Sequence, residues 1–156
     1  MNEVVIRTAT EKDLNTLHQF EQGVIEAERP FDSTLKKGLI HYYDLKELIA
    51  SPRAEILVAE LDGKIIASGY ARIDQSKNYL AHTHHAYFGF MYVLPEYRGQ
   101  GINKKIIDEL KRWAKNKNVN ELRLEVYANN APAIRAYGKL GFTRHVIEMR
   151  MSLNDQ

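Results

Sequence analysis

The alternation of apolar and polar positions divides the chain into short, well-bounded elements. "VVIRTA" reads as a first strand. Thr10 then caps a helix, with Asp13 three residues on in a capping-box pattern. Leu14, Leu17, Val24 and Ile25 give that helix a 3.6-residue period, and it must end before Pro30. "KKG" is a loop. Asp44 opens a short second helix with Leu45, Leu48 and Ile49 inward, closed by Ser51-Pro52. "AEILVAELDGKIIASGYARI" places two apolar runs around Asp62-Gly63, a dipeptide suited to a two-residue hairpin turn. "QSKNY" turns the chain into a further strand, "HAYFGFMYVL", which stops at Pro95.

The second half follows the same grammar. Residues 102–116 form an amphipathic helix whose stripe holds Ile102, Ile106, Ile107, Leu110, Trp113 and Ala114. "ELRLEVY" alternates, with Leu122, Leu124 and Val126 on one face. Asn130 caps a helix "APAIRAYGKL" that tolerates Pro132 in its first turn and stops at Gly141. "FTRHVIEMRMSL" alternates as a last strand. The order β-α-α-β-β-β-α-β-α-β, without repeat or linker, predicts one α/β (α+β) domain over 1–156. Its sheet is mixed and mostly antiparallel, with helices on both faces and one parallel crossover between 86 and 127.

Composition narrows the function classes. The 156 residues suffice for one core, and 44% hydrophobic with 27% charged is ordinary for a globular protein. No cysteine is present, which excludes disulfides, thiolate catalysis and cysteine-ligated zinc. No apolar run is long enough for a membrane span, and "MNEVVIRTATEKDL" lacks the layout of a signal peptide, so a cytoplasmic protein without a membrane partner is expected. Twenty-two basic residues against 20 acidic ones argue against nucleic acid as a partner, although Arg98, Lys104, Lys105, Lys111, Arg112, Lys115 and Lys117 cluster.

Candidate chemistry centres on "PEYRGQGINKK". Gly99 and Gly101 lie between a strand end and a helix start. Helix starts offer unpaired N–H groups and a positive dipole end, and glycines allow close approach, so the arrangement suits a phosphate. The spacing matches neither a Walker loop nor a dinucleotide fingerprint. Downstream, "NNAPAIRAYGKLGF" sets Asn130, Ala133, Tyr137, Gly141 and Phe142 after a strand. Together with "VLPEYRGQG", this resembles the GNAT superfamily of acyl-CoA-dependent N-acetyltransferases along essentially the whole chain.

The resemblance implies acetyl-CoA as cosubstrate, an amine acceptor and no metal. It implies that the strand before the loop splays from its neighbour and offers the backbone of Met91, Tyr92 and Val93 to the pantetheine arm and the oxyanion. The backbone of Arg98, Gly99, Gln100, Gly101, Ile102, Asn103 and Lys104 would hold the pyrophosphate. Asn130 would contact the cosubstrate, and Tyr137 would sit near the thioester sulfur and protonate the leaving thiolate. Glu96 stands where the family often has Gln or Arg, and Asn103 where many members have a third glycine. A homodimer would be unsurprising in this family. A non-catalytic acyl-CoA sensor is the alternative function.

The general base stays open among His84, His85, Glu125, Tyr92 and water. His82 and His84 share a strand face, but no carboxylate stands at a useful spacing for a metal. Glu21 and Glu28 lie on the apolar stripe of the first helix, where a carboxylate must be paired or reach water. The expected arrangement is solvation at the stripe's edge or pairing with Arg29 or Lys36; attraction of a cationic amine by Glu21, Glu28 or Asp32 is the other reading. Tyr42, Tyr43, Tyr87, Phe88 and Tyr92 are either core or acceptor-pocket residues.

Overall fold

A computed structural model describes residues 2–154. Strands β1 (Val5–Thr8), β2 (Ala54–Leu61), β3 (Lys64–Gln75), β4 (His84–Val93) and β5 (Leu122–Arg123) form one sheet in the order β1-β2-β3-β4-β5. The first three pairings are antiparallel, and β4 with β5 is parallel. Helices α1 (Leu14–Glu28), α2 (Leu45–Ala50), α3 (Ile102–Asn116) and α4 (Ala131–Lys139) complete the architecture. The chain divides into two compact units, one running to Glu125 and the other beginning at Val126.

In the first unit the sheet is covered on two faces. Alternation along β2 and β3 sends Ile56, Val58 and Tyr70 to one side, where they meet Leu17, Phe20, Val24 and Leu45 from α1 and α2. The opposite side receives α3. A Cβ placed on Gly69 would come within 2.7 Å of Ile106 Cγ2, so this glycine lets the helix lie close to the sheet. Ile102, Ile106, Ile107, Leu110 and Ala114 are buried along the predicted stripe, while Trp113 is only half-buried.

The local signals act as their chemistry suggests. Asp62 and Gly63 both take positive φ, 52° and 78°, which joins β2 and β3 through a two-residue turn compatible with their twist. The first helix ends at Glu28, and Pro30 falls in a 3-10 turn over Arg29–Phe31. Asp13 accepts from the Thr10 N–H at 2.8 Å and from both terminal nitrogens of Arg7 at 2.8 and 3.0 Å. The Arg7 fork outweighs burial and holds the Asp13 carboxyl below its usual range. A carboxyl with a lowered native pKa stabilises the fold above its unfolded pKa and loses that contribution as pH falls through the native value. Asp13→Asn is expected to cost about 2–3 kcal/mol at neutral pH and to flatten the acid limb of the stability curve, as read by urea unfolding between pH 3 and 7.

The second unit departs from expectation. Helix α4 forms, with Asn130 Oδ1 accepting from the Ala133 N–H at 3.3 Å. Beyond it, "FTRHVIEMRMSL" is not a strand. Val146, Ile147, Met149, Met151 and Leu153 are each at least 78% exposed. Alternation specifies which side chains share a face, but a strand also needs a neighbour to close its ladder. The predicted strand over "ELRLEVY" is likewise reduced to Leu122–Arg123.

Candidate active site

The end of β4 is irregular. Ser68 pairs with Tyr92 and Tyr70 with Gly89, so two steps along β3 match three along β4. The extra residue is a bulge, and Phe90 within it takes φ 58°, rare for a side chain of that size. Phe90 O accepts from Ser68 Oγ at 3.0 Å inside the core, which helps fix the distortion. On the other edge, β4 pairs with β5 only at Ala86↔Leu122 and Tyr87↔Arg123. Among the described residues β4 and β5 pair nowhere beyond Tyr87, because β5 itself ends at Arg123.

The glycine loop follows directly. Pro95–Tyr97 forms one 3-10 turn, and Gly99 and Gly101 take φ 78° and 80°. A Cβ on either would meet nothing within 4 Å, so glycine is needed there for its left-handed backbone and not for space. Gly101 caps α3, and the first side-by-side bond is Lys105 N–H to Gly101 O at 3.3 Å. The N–H groups of Ile102, Asn103 and Lys104 therefore have no partner within the helix. Arg98 Nε donates to Val93 O at 2.8 Å, and its guanidinium stacks 5.5 Å from the Tyr92 ring centre. That closure ties the loop back to β4. Lys104 pairs with Asp108 at 2.8 Å, and Gln100 and Glu96 are exposed. Asn103 Oδ1 is buried and has no hydrogen-bond partner among the described residues.

The side chains of Met91 and Tyr92 point to opposite faces, as neighbours on a strand must. The Met91 sulfur lies on the α3 side near Gly69, while the Tyr92 ring lies over α1 at Gly23. A Cβ on Gly23 would come within 2.5 Å of that ring, which is also held 5.0 Å from Phe20. A mid-helix glycine normally costs about 1 kcal/mol against alanine, and here it is what admits the tyrosine. Gly23→Ala should therefore lower stability by about 1 kcal/mol net, not raise it, because overpacking outweighs the helix gain. A higher melting temperature than wild type would show that the Tyr92 ring is not confined.

The other candidates separate by position. His84 and His85 sit at the start of β4, six or seven residues from Met91, which is about 20 Å along a strand. His85 Nδ1 is 2.8 Å from Ser76 Oγ, and burial, with Arg123, pushes its pKa down. His82 Nε2 is 2.8 Å from Arg123 Nη2 and 3.9 Å from Glu121. Arg123 is a donor only, so that nitrogen accepts and its lone pair is already in use. Glu125 accepts from the Tyr87 hydroxyl at 3.0 Å, and burial followed by Glu125 pushes the Tyr87 pKa up. Phe88 is core, 1% exposed, whereas Tyr42, Tyr43, Tyr87 and Tyr92 are half-buried. In the second unit, Tyr137 is half-buried on α4, with its ring edge-on to Phe142 at 6.0 Å.

Glu21 corrects the expectation for the first helix. It is fully buried and pairs with neither Arg29 nor Lys36. Its Oε2 accepts from the Tyr42 and Tyr43 N–H groups at 2.9 and 2.8 Å, and its Oε1 lies 2.9 Å from His41 Nδ1. Burial alone would raise its pKa, but these bonds together hold it down. Arg29 instead pairs with Glu26 and donates to the carbonyls of Lys36 and Gly38. Glu28 is half-buried, and desolvation raises its pKa against the opposing Tyr42 hydrogen bond.

The chain resembles a streptothricin acetyltransferase of Escherichia coli, 33% identical over 90 residues that cover 58% of this chain. It spans only 45% of that relative's length. It is also 26% identical over 149 residues to an L-amino acid N-acetyltransferase of Escherichia coli K12, covering 91% of this chain and 84% of that protein. A predicted acetyltransferase of Clostridium acetobutylicum, solved with acetyl-CoA, superposes with a TM-score of 0.71 over 97% of both chains at 21% identity, a likeness of fold. The model of one family matches from residue 18 to residue 142, taking in the bulged strand and the glycine turn, and the chain belongs to the acetyltransferase (GNAT) family.

Proposed function

We propose that the chain is an N-acetyltransferase that moves the acetyl group of acetyl-CoA to a primary amine by direct attack in a ternary complex. The observation that carries this reading is a bulged β4, with no β5 pairing beyond Tyr87, ahead of a positive-φ glycine turn and a helix start. An unpaired strand edge can take the amides of a pantetheine arm as a second strand, and the N–H groups after Gly101 can take a pyrophosphate. Met91, Tyr92 and Val93 would serve the arm, and Arg98 to Lys104 the phosphates. Met91 or Tyr92 N–H would donate to the developing oxyanion. Membership of the family and the acetyl-CoA complex of a protein of the same fold support the donor assignment.

A thioester is already activated, so the chain's own groups need only manage charge and protons. The amine must arrive neutral, which requires loss of a proton from an ammonium of pKa ~10. The amine nitrogen bonds to the acyl carbon, the carbon–sulfur bond breaks, and the Tyr137 hydroxyl gives its proton to the departing thiolate. Distance along β4 weighs against His84 and His85 as the base for this step. Glu125, Tyr92 and water stay as the candidates for the base.

We propose one catalytic domain over 1–156, located in the cytoplasm. No helix of the described residues is long and apolar enough to cross a membrane. Neither a nucleic acid nor a homodimer partner enters the mechanism. The decisive experiment is an acetyl-CoA-dependent screen over small amines, amino acids, aminoglycosides, streptothricin and peptides, with free thiol as readout. Turnover of at least one amine is expected. Tight acetyl-CoA binding without turnover of any of them would favour an acyl-CoA sensor instead.

A further inference from the structure

A cluster on α1 and the loop ahead of α2 has no part in the proposed transfer. His18 and Glu21 stand three residues apart on α1, so they share a helix face. His41 reaches the same point from the loop. Glu21 Oε1 lies 2.9 Å from His41 Nδ1 and 3.8 Å from His18 Nδ1. One ligand atom from each of the three residues lies within 4.8 Å of the others. The two imidazole rings stand edge-on, 6.2 Å apart at 80°.

The surroundings suit an ion more than a simple pair. Glu21 is fully buried, and its Oε2 is held by two main-chain N–H groups. That anchoring fixes the carboxylate and aims Oε1 at both rings, as outer-sphere bonds do at metal sites. A hydrogen-bonded pair would need one imidazole, yet two converge. The His18 and His41 side chains are 49% and 57% exposed, so an ion could enter and leave, and a fourth position would face solvent. Metal–ligand bonds of about 2.0–2.2 Å in a tetrahedron put ligand atoms about 3.3–3.5 Å apart, between the two separations seen here. Two imidazoles and a carboxylate suit Zn²⁺ and its late first-row neighbours, whereas Mg²⁺ and Ca²⁺ prefer oxygen.

We propose that His18, Glu21 and His41 form a Zn²⁺ site that pins the loop before α2 to α1. Without an ion the loop is tied to α1 by the Glu21 bonds to the Tyr42 and Tyr43 N–H groups, by Arg29 to the Lys36 and Gly38 carbonyls and by Gln22 to Ile40 O at 2.9 Å. It leads into Tyr42 and Tyr43, so the ion would stiffen the segment that carries those rings. The site requires no participation in acyl transfer.

The test is titration of the untagged, chelator-stripped full chain with ZnCl₂ by calorimetry, alongside thermal unfolding. One equivalent is expected to bind, with a raised melting temperature that MgCl₂ does not reproduce. His18→Ala and His41→Ala should each weaken Zn²⁺ affinity at least tenfold. His18→Ala leaves the His41–Glu21 bond in place, so its folding is not in question. A His82→Ala/His84→Ala variant should bind as wild type does. Co²⁺ substitution should give visible absorption of a tetrahedral or five-coordinate site. Absence of stoichiometric binding, or binding that survives His18→Ala with His41→Ala and disappears with His82→Ala/His84→Ala, overturns the proposal.

Discussion

Tyr137→Phe is expected to lower kcat about 100-fold or more while leaving acetyl-CoA affinity nearly unchanged. The substitution keeps the ring and its edge-on contact with Phe142, so α4 should retain its packing. Only the hydroxyl is removed, and with it the proton proposed for the leaving thiolate. A general acid acts in the transition state, so its loss should appear in turnover and not in ground-state binding. Single-turnover acetylation of the best acceptor, with binding measured separately, distinguishes the two. Wild-type turnover in Tyr137→Phe, where chemistry limits the rate, would remove this residue from the mechanism.

The second large effect is at Gly101. Its φ of 80° is accessible to glycine and costly for a β-branched residue. Because no atom lies within 4 Å of a Cβ there, Gly101→Val introduces backbone strain without a clash. Strain of about 1–3 kcal/mol can be relieved only if the turn changes shape, and the N–H groups of Ile102 to Lys104 then lose their common aim. Acetyl-CoA affinity should fall about tenfold or more, as about 1.4 kcal/mol is lost per factor of ten. Glu96→Ala is the control, since that side chain is exposed and the loop is proposed to bind through its backbone. Equal affinity in Gly101→Val and wild type would mean that these N–H groups do not hold the pyrophosphate.

What the sequence disclosed depended on how local the cause was. The Asp62-Gly63 turn, the stripe of α3 and the Asn130 cap are set by residues within a few positions of one another, and each forms where expected. Glu21 shows the limit. Its place on an apolar stripe was legible, but its partners stand twenty or more residues away in a loop, and no periodicity links them. The His18–Glu21 spacing was a signal of a shared face, yet without His41 it amounted to an ordinary helical pair. The bulge at Phe90 was illegible for a related reason. Nothing in "YFGFMY" states that β4 carries one more residue than β3 across that stretch. The tail from Phe142 illustrates the converse, since its alternation was plain and a pairing strand was not.

The short pairing of β4 with β5 also bears on how long the protein survives in a cell. A strand paired along only part of one edge is a weak seam, open to local unfolding and to proteolysis of the opened form. If the donor's amide arm lies along that seam, it closes the sheet as a sixth strand would. Every tenfold rise in free acetyl-CoA above its dissociation constant would then add about 1.4 kcal/mol to the folded state. Abundance of the protein would follow the acetyl-CoA supply even where no acceptor is present, so that nutrient state sets enzyme lifetime as well as enzyme rate.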